Sequence, residues 1–177
     1  TLPDATTTYE VAPGFHFELT GSNGGVAIAG TTTQCLAITR LFVGSSADVA
    51  GGSARTYYEK GFLNNNNQAV ALTTAQVEIA SDSPALPGTA ALDLALCTAL
   101  NDTNTSTNRQ TAPVAGVGAF VVQPSLINVA TGNLPASAGA GNAAGAQGMW
   151  FRYSLPAGSP PYEGSPGASV QANGNST

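Results

Sequence analysis

Apolar and polar residues alternate along much of the chain, and turn-forming residues separate the alternating runs. Phe15, Phe17 and Leu19 fall on one face of an extended segment, with His16 and Glu18 on the other. Period two is the mark of a half-buried strand. The Gly-rich stretch at 21–25 reads as a turn, and 26–29 as a short strand. Residues 35–43 form a longer apolar run interrupted by Thr39 and Arg40. Such a run predicts a strand buried on most of both faces. Gly51-Gly52 and the four asparagines at 64–67 each stand between strand-like runs, so each predicts a hairpin. Residues 76–79 alternate again, and Pro84 and Pro87 break the chain.

Residues 90–100 fit two periods. Leu92, Leu94, Leu96, Thr98 and Leu100 share a face at period two, while Leu92, Leu96 and Leu100 also share one at helical spacing. The unbroken Leu-x-Leu-x-Leu and the β-like surroundings favour a strand, against the helical propensity of Ala and Leu. A polar loop is predicted at 101–108, strands at 116–122 and 126–129, and a segment of small residues at 135–148. Met149, Phe151, Tyr153 and Leu155 then line one face of a further strand. Closely spaced turns between short strands predict an all-β fold. We expect one antiparallel β-sandwich domain, Ig-like or jelly-roll-like, at 15–155. An N-terminal extension (1–14) and a Gly/Pro/Ser-rich tail (156–177) flank it.

Composition narrows the function. Of 177 residues, 30 are Ala, 21 Gly, 20 Thr and 14 Ser. Charged residues make up 8%, against roughly 25% in ordinary soluble domains. Five Lys and Arg residues cannot build a phosphate-binding stripe, so no nucleic acid partner is expected. A hydrophobic content of 42% argues against charged disorder, and no apolar run approaches ~18 residues, so no membrane span is expected.

Several features point to secretion. The chain begins at Thr1, as if a signal peptide had been removed. Cys35 and Cys97 suit one disulfide, whose loop of 62 residues would contribute roughly 3–5 kcal/mol. Asn101, Asn104 and Asn175 each open an Asn-x-Ser/Thr sequon.

Candidate chemistry is sparse. His16 is the sole histidine and has no nucleophile motif beside it, so no catalytic triad is expected. One His and two Cys do not make a structural zinc site. The carboxylates, among them Glu18, Asp48, Glu59, Glu78, Asp82 and Asp93, are expected at the surface. Tyr57, Tyr58, Trp150 and Tyr153 offer rings that could stack on sugars, but alternating aromatics in strands more often form core or cross-strand pairs. Lys60 is the only lysine, so an intramolecular Lys–Asn or Lys–Asp isopeptide bond has one donor at most. Nothing in the local sequence marks Lys60 as buried.

No enzymatic function and no cofactor are expected. The composition is similar to that of surface-appendage subunits, although no family motif is matched. The expectation is a structural subunit of an extracellular or cell-surface filament, pilus-like, whose partners are copies of itself. Strand addition would join them, with Thr6, Thr7, Thr8, Tyr9, Glu10 and Val11 as the donated strand. A carbohydrate-binding or adhesive sandwich module, with glycans as partner, is the alternative, as is a viral coat or decoration protein.

Overall fold

The computed structural model describes residues 15–18, 52–65, 69–83, 90–106, 110–136, 145–158 and 167–176. Within them the protein is all-β, with two antiparallel sheets. The strands are β1 (Phe15–Glu18), β2 (Arg55–Asn65), β3 (Leu72–Ser83), β4 (Ala91–Leu100), β5 (Val121–Val122), β6 (Ile127–Asn128), β7 (Asn133–Leu134), β8 (Gln147–Leu155) and β9 (Gly167–Ser176). One sheet runs β1-β2-β8-β4-β5. In the other, β3 pairs with β6 and β7, and also with β9. No helix of the described residues is long and apolar enough to cross a membrane.

One core is shared by the two sheets, a sandwich-like arrangement. The first sheet contributes Tyr57 and Leu63, then Leu92, Leu94 and Leu96, then Met149, Phe151, Tyr153 and Leu155. The second contributes Leu72, Ala75, Val77, Ile79, Leu134 and Ala172. Register explains the match, because Leu94 lies opposite Phe151, Leu96 opposite Met149 and Tyr57 opposite Tyr153. Alternate residues of paired strands therefore face the same core.

In β3 the inward set changes phase. Leu72 points in, and so do Ala75, Val77 and Ile79, which an uninterrupted period of two forbids. A register shift between Thr73 and Gln76 takes up the extra residue, and Thr74 sits there at φ 50°. Such a bulge re-aims side chains at the cost of one strained residue. Neighbours hold it: the Thr74 N–H donates to Asn133 Oδ1 (3.2 Å), and Asn175 Nδ2 donates to Thr74 Oγ1 (2.9 Å).

Buried amides tie the sheets together. Gln147 Nε2 donates to Cys97 O (2.9 Å) and Gly148 O (2.7 Å), while its Oε1 accepts from Ala130 N (2.8 Å). Asn65 Nδ2 reaches across to Val70 O at 2.8 Å and Leu134 O at 3.3 Å.

The strands at β1, β3, β4 and β8 lie where alternation places them, and residues 90–100 are a strand. Three expectations change. The asparagine run does not close a hairpin, because β2 belongs to one sheet and β3 to the other. The predicted strands at 116–122 and 126–129 shrink to pairs of residues. The last residues, read as a tail, supply β9, which pairs along nearly the whole of β3. The strands read at 26–29 and 35–43 lie outside the described residues.

Candidate functional site

The first sheet is also covered on the face turned away from the core. Six successive residues of β4, 92–97, are buried, so this strand has packing on both sides. The outward set comprises Tyr58, Lys60 and Phe62 of β2, Asp93, Ala95 and Cys97 of β4, and Trp150 and Arg152 of β8. The chain between β4 and β5 lies over it. Thr98 N donates to Gly116 O (3.0 Å) and Gly118 N to Leu96 O (2.8 Å), so this segment follows the β4 edge. Val117 and Phe120 then pack against Ala95, Cys97 and Trp150. Phe120 meets Tyr58 edge-on, with centroids 5.7 Å apart, and lies 4.7 Å beneath the Arg152 guanidinium. Arg152 also donates twice to Asp93 Oδ2, from Nε at 2.9 Å and Nη2 at 2.6 Å.

Beneath this cover sits Lys60, 1% exposed. It lies opposite Trp150 in the ladder, and its ammonium is 5.6 Å from the Trp150 ring and 5.1 Å from the Phe62 ring. Nζ donates to Asp102 Oδ2 at 2.6 Å, to Asp102 O at 2.9 Å and to Asn104 O at 2.9 Å. Its three protons match these three acceptors. Asp102 is itself buried, and its other oxygen, Oδ1, accepts from Asn104 Nδ2 at 2.5 Å.

Two glycines make the close approach possible. A β-carbon at Gly148 would stand 2.7 Å from Cys97 Sγ and 3.2 Å from Lys60 Cε, so the lysine stem crosses the strand there. Gly116, at φ +65°, would drive a β-carbon into the Asp102 carboxylate and the Asn104 amide.

Burial alone would raise the pKa of Asp102. The Lys60 hydrogen bond and charge, with the hydrogen bonds from Asn104 and Cys97, outweigh it and hold the carboxyl below its ordinary value. Burial pushes the Cys97 thiol up to about 12; the Lys60 charge opposes this and the Asp102 charge adds to it. Trp150 Nε1 is buried and has no hydrogen-bond partner among the described residues.

The expected site residues take the following places. No disulfide is seen: Cys97 is a free, buried thiol, and Cys35 lies outside the described residues. The donated-strand residues 6–11 also lie outside them. Asn101, Asn104 and Asn175 are exposed, but the amide nitrogens of Asn104 and Asn175, where a glycan would attach, are engaged with Asp102 and Thr74. Tyr57, Trp150 and Tyr153 are buried, so they present no ring face to a sugar, while Tyr58 is partly exposed. His16 lies in β1. Glu59 and Asp93 are buried rather than at the surface: Glu59 lies on the core face of β2 with Tyr57 and Leu63, and Asp93 lies on the covered outer face beside Arg152. Among the described residues no group of three His, Cys, Asp or Glu could hold a metal ion.

Sequence reading passed over the grouping of Lys60, Asp102 and Asn104. Only the sole lysine hinted at it; its partner lies 42 residues away in a polar loop. No family model, no curated protein and no solved structure matches the chain.

Proposed function

We propose that the protein is a structural subunit of an extracellular filament and that copies join by strand addition. The observation that carries this reading is the outer edge of β9. Among the described residues β9 pairs with β3 on one side and with no strand on the other. Its ten residues, Gly-Ala-Ser-Val-Gln-Ala-Asn-Gly-Asn-Ser, include no charge and no proline. Isolated domains usually protect such an edge with Lys, Pro or a cover, since its unpaired N–H and C=O groups template pairing with another chain. An edge left plain suits a partner strand. The segment Thr6 to Val11 of a neighbouring copy is the proposed occupant, and an Ig-like or jelly-roll-like sandwich is the proposed scaffold. Val114, Val122 and Leu126, exposed at 91%, 72% and 51%, add apolar surface for contacts between copies.

Negative-stain electron microscopy of the purified chain, with and without residues 1–11, tests this. Filaments from the full chain and monomers from the truncated one are expected. Undiminished polymerisation after truncation would remove the donated strand from the reading. A full chain that stays monomeric under all assembly conditions would overturn it altogether.

A further inference from the structure

We propose that Lys60 and Asp102 condense, and that the mature chain carries an intramolecular isopeptide bond from Lys60 Nζ to Asp102 Cγ. This goes beyond the filament reading and stands whether or not copies polymerise. Three features of the site carry it.

The first is aim. Nζ touches Asp102 Oδ2 at 2.6 Å, and its other two protons are held by Asp102 O and Asn104 O, both at 2.9 Å. When the proton on the Oδ2 axis passes to the carboxylate, the two backbone carbonyls keep the amine from turning. The lone pair left behind then points at Oδ2, one bond from the Asp102 Cγ that it attacks. Holding the amine against the carboxyl group removes much of the entropic barrier to such a step.

The second feature is a place for the charge that develops. Asn104 Nδ2 donates to Asp102 Oδ1 at 2.5 Å, the oxygen that becomes an oxyanion during attack. A preorganised donor at that position acts like an oxyanion hole.

The third is dryness. Lys60 is 1% exposed, and Trp150, Phe62, Ala95 and Cys97 around it are all fully buried. A buried ion pair carries a desolvation cost that a neutral amine and acid do not, and the amide product carries no charge at all.

The step balances without a co-reactant. The ammonium gives one proton to the carboxylate, leaving an amine and a carboxylic acid. Nζ attacks Cγ, forming the C–N bond and an oxyanion on Oδ1. Nζ then gives a second proton to the departing Oδ2 hydroxyl, the C–O bond breaks, and one water leaves. The amide keeps the third Nζ proton. The product joins the middle of β2 to the loop that follows β4.

Because Lys60 is the only lysine, the test is direct. The purified wild-type chain is reduced, its intact mass is measured, and the denatured chain is digested with a lysine-specific endoprotease. A mass lower by one water is expected, with the chain left uncut and peptide mapping placing the branch at Lys60 and Asp102. The full unmodified mass with clean cleavage into 1–60 and 61–177 would overturn the proposal and leave an ion pair. A lost water mapped to other residues would overturn it equally. Lys60→Arg, which keeps the charge but cannot form the bond, is expected to hold its full mass. The wild-type measurement decides alone if that variant folds poorly.

Discussion

Lys60 and Asp102, 42 residues apart in the chain, meet at 2.6 Å beneath the covered outer face of the five-stranded sheet. Before any condensation the Lys60 side chain has no exposed surface and that of Asp102 only 6%, so each depends on the other for its charge. Removing one partner of a buried pair costs about 3–5 kcal/mol, because the survivor is left uncompensated. Asp102→Ala is therefore expected to lower unfolding stability by at least about 3 kcal/mol in urea titration. The double variant Lys60→Met with Asp102→Ala buries no orphan charge. It is expected to be more stable than Asp102→Ala alone. The opposite order would show that Lys60 finds water once Asp102 is gone.

Gly116 and Gly132 separate backbone strain from crowding. Both have positive φ, +65° and +73°, but only Gly116 has neighbours within 4 Å of a built β-carbon. Gly132→Ala is expected to cost about 1 kcal/mol, from the left-handed backbone alone. Gly116→Ala is expected to cost roughly 2–3 kcal/mol, since it also displaces the Asp102 carboxylate and the Asn104 amide. Denaturant midpoints of the two variants measure the difference.

Cys97 is expected to be chemically silent in the folded protein. Its pKa of about 12 lies far above neutral pH, so the thiol stays protonated and lacks the thiolate that alkylating reagents attack. In a Cys35→Ser background, a thiol-specific chromogenic reagent at pH 8 is expected to give no reaction until denaturant is added. Rapid labelling of the native protein would mean that the cover over β4 opens easily.

The β9 edge offers a way to block assembly without touching the core. Gln171 is exposed and its Nε2 donates to Asn173 Oδ1 at 2.9 Å, so the two side chains share one face. Lysine at both positions adds the charge that edge strands use against unwanted pairing. Filament mass by sedimentation is expected to fall at least tenfold, with the thermal midpoint of the monomer little changed. Unaltered sedimentation would place the contact elsewhere.

Much of the fold was legible locally. Leu-x-Leu-x-Leu in β4 and Met-x-Phe-x-Tyr-x-Leu in β8 announce strands, because a period of two puts those side chains on a single buried face. The asparagine run announced a change of direction but not its destination. A turn sequence specifies local dihedral angles, whereas pairing depends on which strand arrives alongside, and β2 pairs with the distant β8. The phase change in β3 was hidden for a similar reason. Thr73-Thr74 reads as ordinary strand, and only cross-strand packing shows that a bulge brings both Leu72 and Ala75 inward.

By itself, the sequence determined that this chain builds strands with a buried face and carries little charge with which to protect them. Those properties reside in short windows and in composition. Tertiary structure alone decided that the first sheet is covered twice, and this changed the meaning of single residues. Lys60, Asp93 and Trp150 sit in alternating strands where one face is ordinarily wet. The chain between β4 and β5 folds over that face and takes it out of water. A lone lysine in an uncharged sequence thereby became a buried amine held against a carboxylate, because burial belongs to the assembled layers and to no local window.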